Sequence, residues 1–370
     1  MNDLGPRGPR TQWTASLSVS RRWETAVRMG PGSLASLRDL WSSSVRQVVL
    51  VADRTVLRLH GSVIRPVLQD VAREVRVVEV APGEKSKSRR TVARIEDAMV
   101  AARVRSDAVI VALGGGMTTD LACFVAATYL RGIDLVNLPT TVVGAVDAGL
   151  GGKTGIDTTH GKNLIGTFHW PLAVVVDTDL LRTLPQKEVL EGLAEMVKHG
   201  VIADPGLLAE MEAAAESLAP GAPPDPELLW RAAQVKLDVV RRDPFEAGLR
   251  RTLNFGHTVG HAVEAASGYR VRHGEAVAIG LAVEARVATR RTGLPPGDAD
   301  RLVALLETLG LPVRPPCTFK RALPYLLRDK KDRGTAIRMA LPRALGVMEP
   351  AGDEYALDVP SDLLEACWNG

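Results

Sequence analysis

Cysteine is scarce in this 370-residue chain: only Cys123, Cys317 and Cys367 occur, far apart and in no C-x-x-C pair. That excludes a disulfide framework and a thiolate zinc site, and it makes a reducing cytoplasm the expected location. Net charge is nearly absent too, at +3 from 46 basic and 43 acidic residues. Nucleic acid and membrane surfaces are therefore not expected as main partners, and any anionic ligand must be met by a local site. Long apolar runs are missing. The most apolar stretch, Ala108 to Leu130, is broken by Gly114-Gly115-Gly116 and Asp120, well short of the roughly 20 uninterrupted residues of a membrane helix. The first 30 residues hold no apolar core of a secretory signal, so a soluble protein is expected. Lysine is rare as well: 10 of the 46 basic residues are lysine and 36 are arginine. A compact ammonium with a tunable pKa differs from a fixed guanidinium fork, so the lysines retained are candidates for positions that chemistry requires.

What is present is globular material, 46% apolar and 24% charged, with length enough for two domains. Residues 1–12 carry Gly, Pro and Arg without periodicity and read as a loose tail. Short β-branched runs follow, at Gln47–Asp53, Val75–Val80, Ala108–Leu113, Leu135–Leu138 and Ala173–Asp177, alternating with helical patterns such as Arg90–Arg103. Such alternation predicts a parallel sheet covered by helices. After Pro185 the pattern is helical: Val189–Val201, Pro205–Leu218, Pro226–Arg241, Asn254–Ala266, Glu275–Thr292 and Ala299–Leu309, with no convincing strand before about Ile337. The expected architecture is α/β followed by all-α, a Rossmann-like parallel-sheet domain over residues 1–187 and a helical domain over 188–370.

Three motif groups carry potential chemistry. In Val109-Ile-Val-Ala-Leu-Gly114-Gly115-Gly116-Met-Thr-Thr-Asp120, glycines follow a buried strand, and a helix starting at the Thr118–Asp120 cap would offer N–H groups to a phosphate. The spacing is not G-x-G-x-x-G, and a plain tight turn would read the same. Pro82-Gly-Glu84-Lys-Ser-Lys87 follows another strand, where a carboxylate can meet ribose hydroxyls, or the segment is a solvated loop. Second, Leu138-Pro-Thr140-Thr141, Asp147, Gly151-Gly152-Lys153-Thr154 and Gly161-Lys162-Asn163 bring hydroxyls, an amide and two ammoniums onto one stretch suited to a polyhydroxylated anion. A glycine-rich surface hairpin is the plain alternative, and a Walker P-loop is excluded because Asp147 stands where its first glycine belongs. Third, Glu195 and Lys198 lie i, i+3 on one helix, His257 and His261 lie i, i+4 on another, and His273 follows. Three of seven histidines within 17 residues, with a glutamate upstream, suit zinc with an open coordination position. Spacing leaves open which two histidines bind; His261 could equally orient a ligand or act as acid or base. Lys236, Arg250, Arg251 and Asn254 lie around this cluster, and Asp329-Lys330-Lys331 follows near the end of the chain.

In collinear order from about Val48 to about Gly346, the segments PGEKSKS, ALGGG-x-x-x-D, YLRG, LPTT, VDA-x-x-GGKT, GKNLIG, GLAEMVKHG, GLRRTLNFGHTVGHAVE, HGEAVAIG and RDKK resemble the dehydroquinate synthases of the sugar-phosphate cyclase superfamily. The resemblance implies an NAD-binding α/β domain, a helical metal-binding domain, a cleft site between them, and a homodimer. It implies Glu195, His257 and His273 as ligands of Zn2+ or Co2+. It implies Asp53, Glu84, Lys87, Gly115, Gly116, Thr119, Asp120, Thr140, Thr141, Lys153, Lys162 and Thr183 at NAD. For the sugar phosphate it implies Asp147, Lys153, Asn163, Lys198, Lys236, Arg250, Asn254, His261 and one of Lys330 and Lys331, with Arg131 reaching the partner subunit's phosphate site. The implied reaction converts 3-deoxy-D-arabino-heptulosonate 7-phosphate to 3-dehydroquinate and phosphate with catalytic NAD, in the shikimate pathway of aromatic amino acid biosynthesis. Met117-Thr118-Thr119, Leu150 and His199 depart from the commoner pattern, and none of them is a metal ligand or charge carrier in it. Superfamily members using neutral sugar phosphates tend to alter the positions of Arg250, Asn254 and His261, which are kept here; another cyclase of the superfamily, acting on the amino analogue of the heptulosonate or on sedoheptulose 7-phosphate in secondary metabolism, is the alternative.

Overall fold

A computed structural model of the chain describes residues 23–40, 45–159, 161–327 and 336–369. The first half alternates as the sequence predicts. β1 (Ala26–Gly30) and β2 (Val45–Asp53) lead into α1 (Arg54–Val71), β3 (Ala72–Val80), α2 (Arg89–Ala101), β4 (Val109–Gly114), α3 (Gly116–Thr128), β5 (Asp134–Pro139) and α4 (Val142–Val146). A hairpin of β6 (Ile156–Thr158) and β7 (Gly161–Ile165) precedes β8 (Ala173–Asp177). β1, with the sequence AVRMG, gives no periodic signal and forms by parallel pairing with β8.

Six strands make one parallel sheet in the order β1-β8-β5-β4-β2-β3. Strands covered on both faces must be apolar throughout, which is why VIVALG and AVVVD read as unbroken runs. On one face Leu57, Ile64 and Leu68 of α1 pack on Val48, Leu50 and Val111. On the other, Ile95 of α2 and Leu121 and Val125 of α3 pack on Val49, Val51 and Ile110. Truncating one of these buried side chains to alanine costs about 2–5 kcal/mol. The chain leaves β2 toward β3 on one side and toward β4 on the other, so the crevice of this sheet opens at the carboxyl ends of β2 and β4.

The second half is helical: α5 (Gln186–Ala203), α6 (Pro205–Ala213), α7 (Ala215–Leu218), α8 (Pro226–Arg242), α9 (His257–Ala266), α10 (His273–Arg291) and α11 (Pro296–Thr308). The expected boundary at 187/188 falls within the first turn of α5. Among the described residues, the next strand after the helices begins at Ile337, as expected. Several helix limits differ from expectation; α5 begins at Gln186 rather than Val189, and α11 at Pro296 rather than Ala299. Pro205–Leu218 breaks at Ala214. α3 starts at Gly116, two residues early, so Thr118, Thr119 and Asp120 lie inside it rather than capping it. α9 starts at His257 instead of Asn254, because residues 249–254 form a tighter turn and Gly256 takes φ +80°. α10 starts at His273 because Glu275 Oε2 accepts the Arg272 N–H at 3.0 Å, closing its first turn. No helix among the described residues is long and apolar enough to cross a membrane.

Candidate active site

Glu195 and Lys198 share the buried face of α5, which is apolar on nearly every side and so places both charges out of water. Glu195 Oε1 lies 3.4 Å from His257 Nε2, at the start of α9, and 3.1 Å from His273 Nε2, at the start of α10. These separations match donors sharing one ion at bond lengths of about 2.0–2.2 Å, and two imidazoles with one carboxylate form a donor set that fits zinc. His261 stands one turn on, edge-on to His257 with centroids 5.3 Å apart, and belongs instead to a second group with Glu264 and His273. The ambiguity that spacing left between the histidines is thus a difference of position: His257 and His273 face Glu195.

A chain of alternating charges runs on from this cluster. Glu195 Oε2 is 2.6 Å from Lys198 Nζ, Lys198 Nζ is 3.5 Å from Asp147 Oδ2, and Lys236 Nζ donates a short hydrogen bond to Asp147 Oδ1. Asp147 comes from the end of α4, so the chain joins both halves of the molecule. Burial would lower the Lys198 pKa, but Asp147 and Glu195 override it and hold the ammonium charged above its usual range. At Lys236 burial wins, aided by the charges of Lys198 and Arg250, and the pKa falls to about 8. Burial opposes ionisation of Asp147, yet the two lysines hold it well below the usual carboxylate range. Arg250, 1% exposed, donates to Gly151 O at 2.7 Å and Pro244 O at 2.6 Å, again bridging the halves. A Cβ on Gly151 would fall 2.6 Å from Arg250 Nη2, so only glycine permits that approach.

At the crevice of the sheet, Gly115 and Gly116 open α3 directly after β4. A Cβ at Gly115 would meet Thr141 at 2.9 Å, and the first amides of α3 face the carboxyl edge of the sheet, a cradle that fits a dinucleotide pyrophosphate. Thr140, at the end of β5, has a buried hydroxyl with no hydrogen-bond partner, a group a ligand can satisfy. Lys87 Nζ meets Asp120 Oδ2 at 2.5 Å, and both pKa values are raised. Desolvation raises Asp120; in Lys87 it is overridden by the Asp120 and Glu84 carboxylates. Burial likewise pushes the Glu84 carboxyl up. Lys153 pairs with Glu246 at 2.6 Å, and Lys162, on the exposed hairpin, with Glu264 at 3.0 Å.

Other predicted residues make local contacts of their own. Asp53 accepts the Thr55 and Val56 N–H groups and caps α1. The Thr141 hydroxyl accepts the Gly144 N–H, capping α4, and Thr119 donates to Gly116 O. Thr183 Oγ1 is 2.8 Å from His60 Nε2. Asn163 is exposed on β7, Asn254 Nδ2 lies 3.5 Å from Glu246, and Arg131 sits on an exposed turn with φ +70°. Lys330 and Lys331 lie outside the described residues. Sequence reasoning missed Glu246 and Glu264. Glu264 carries a signal, since it lies three and seven residues after His261 and His257 on one helix face. Glu246 carries none, because it sits in a loop at φ +60°.

Two family descriptions match adjoining parts of the chain, 3-dehydroquinate synthase N-terminal over residues 77–191 and 3-dehydroquinate synthase C-terminal over residues 192–332. The chain is 44% identical over 322 residues to the 3-dehydroquinate synthase of Geobacter metallireducens, covering 85% of this chain and 88% of that one. Among solved structures it is similar to 2-epi-5-epi-valiolone synthase from Streptomyces hygroscopicus subsp. jinggangensis with NAD+ and Zn2+ bound, at TM-score 0.85 and 31% identity over 96% of this chain and 98% of that one. It is also similar to a 2-deoxy-scyllo-inosose synthase complexed with carbaglucose-6-phosphate, NAD+ and Co2+, at TM-score 0.84 and 25% identity over 93% and 96% of the two chains. By its sequence and its architecture, then, the chain belongs to the 3-dehydroquinate synthase family.

Proposed function

We propose that this protein is a carbon–oxygen lyase that converts 3-deoxy-D-arabino-heptulosonate 7-phosphate to 3-dehydroquinate and phosphate, working in the cytoplasm as a homodimer with its helical domain beginning near residue 188. The observation that carries the reading is the Glu195–His257–His273 donor set set directly against the Lys198–Asp147–Lys236 charge chain. A metal ion held by that donor set would lie beside cations able to hold a phosphate and a carboxylate. When bound, NAD supplies a reversible hydride acceptor and a Zn2+ or Co2+ ion at the triad supplies a Lewis acid for a substrate oxygen.

The chain's own residues do the rest. Lys153, Lys198, Lys236 and Arg250 bind the anionic ends of the substrate, and Lys153 and Arg250 do so from segments that bridge the two halves. Asp147 orients the two buried ammoniums. Lys236 Nζ, with its pKa near 8, exchanges a proton close to neutral pH, where a general acid or base works best. Lys87, Asp120, Gly115, Gly116 and Thr140 hold the dinucleotide. Arg250, Asn254 and His261 together favour a substrate that carries a carboxylate. In the test, purified protein is incubated with the heptulosonate phosphate, NAD+ and Zn2+. Phosphate should be released with no net NADH; NADH accumulation, or turnover only with sedoheptulose 7-phosphate or the amino analogue, refutes the assignment.

A further inference from the structure

The charge chain has a second arm that leads away from the substrate side. His273 turns Nε2 toward Glu195 at 3.1 Å, while its other nitrogen, Nδ1, faces Glu264 Oε2 at 3.7 Å. Glu264 is 3% exposed, and its remaining oxygen, Oε1, accepts a hydrogen bond from Lys162 Nζ at 3.0 Å. Lys162 belongs to β7 of the hairpin in the first half, and its ammonium is also 4.9 Å from the centre of the Tyr269 ring in the loop after α9. One buried carboxylate therefore touches both a candidate metal ligand and a lysine of the opposite half.

We infer that Glu264 is a positioning residue that fixes the orientation of His273 and couples it to the β6–β7 hairpin through Lys162. The inference rests on the metal reading given under Proposed function. The chemistry is that of a carboxylate behind a metal-bound imidazole: facing Nδ1–H, it selects the tautomer whose Nε2 lone pair is free for the ion and makes that nitrogen more basic. Lys162, 3.0 Å from Oε1, brings a positive charge against this buried carboxylate from the opposite half of the molecule. Because the lysine comes from the hairpin, placement of the hairpin and strength of metal binding are one linked equilibrium, and each must favour the other. Of the two oxygens of Glu264, Oε1 accepts from the Lys162 ammonium at 3.0 Å and Oε2 faces His273 Nδ1, so the carboxylate lies behind the imidazole, on the side away from Nε2 and Glu195.

The experiment measures Co2+ binding to the full-length protein, stripped of metal, by chelator competition and by the cobalt visible spectrum. Glu264→Gln should bind one Co2+ with affinity reduced roughly 10- to 100-fold and with an altered spectrum. Lys162→Met, which touches no ligand, should weaken Co2+ binding by about fivefold or more. Glu195→Gln should lose binding outright. Affinity and spectrum unchanged in both Glu264→Gln and Lys162→Met, with Glu195→Gln still failing to bind, overturns the inference while leaving the metal reading intact. Normal Co2+ binding by Glu195→Gln overturns the metal reading itself. Should Glu264→Gln fail to fold, the Lys162→Met result decides alone.

Discussion

Asp147→Asn tests the logic of the site most directly, because that carboxylate is shared by two ammoniums taken out of water. Lys198 is 1% exposed and Lys236 8% exposed, so neither can recover the lost charge from solvent. Removing one member of a buried ion cluster leaves its partners uncompensated, at a cost of about 3–5 kcal/mol. The deficit must also depend on pH. In the unsubstituted protein Lys236 titrates near 8 when folded against 10.5 when unfolded, so between those values the unfolded chain holds more protons and stability climbs with pH. Without Asp147 the folded Lys236 loses the interaction that raises its pKa, and its titration moves below 8. The variant then begins to gain stability at a lower pH than the parent, so its deficit is greatest on the acid side of neutrality and narrows as pH approaches 8. Asp147 itself adds no slope there, because a carboxylate with a depressed folded pKa contributes a constant amount above its unfolded value. Urea unfolding of both proteins at about pH 6 and about pH 8 measures the two deficits. Adding Lys236→Met to Asp147→Asn should recover part of the loss, with a coupling of about 0.5–3 kcal/mol. A deficit under about 1 kcal/mol, or one equal at both pH values, would refute the reasoning.

Three further outcomes are expected. Lys153→Arg should lose most phosphate-release activity although the charge is kept, because a planar fork cannot take the place of an ammonium set 2.6 Å from Glu246; a rate close to the parent's contradicts the role given to Lys153. Gly280→Ala should lower stability by about 3 kcal/mol or more in a denaturant titration, since its Cβ would sit 1.8 Å from the Gly256 carbonyl, where α10 crosses the start of α9. Chelation should abolish turnover with little change in the far-ultraviolet circular dichroism, since the helices carrying the triad are held by a large apolar core; unfolding on chelation would make the metal structural.

Much of this arrangement is legible from the chain. The central strands announce themselves as apolar runs because both of their faces are buried, and the histidine cluster does so because one helix brings His257 and His261 to the same side. Edge strand β1 is silent, since its pairing with β8 is supplied by residues more than 140 positions away. The start of α9 is displaced by Gly256, whose left-handed φ and hydrogen bond to the buried Glu284 at 2.8 Å depend on α10. For the same reason Glu246 escapes notice: it becomes a partner of Lys153 only when two distant loops meet.

The preference for lysine in the site follows from geometry. Lys198 Nζ serves Glu195 and Asp147 at once, at 2.6 and 3.5 Å, and Asp147 in turn serves Lys236. Carboxylates reaching in from different elements need a compact charge that can be approached from several directions, which an ammonium provides and a planar fork does not. Where one carboxylate is gripped side-on by two N–H groups, an arginine does it, as when Arg301 grips Glu212 at 2.5 and 2.6 Å. Inside the site the fork of Arg250 is used differently, spanning two backbone carbonyls rather than one acid. In a chain with 36 arginines and 10 lysines, Lys87, Lys153, Lys162, Lys198 and Lys236 all end on carboxylates of the candidate site. Replacing the buried Lys87, Lys198 or Lys236 by arginine preserves the charge but puts a larger, planar group where an ammonium is enclosed.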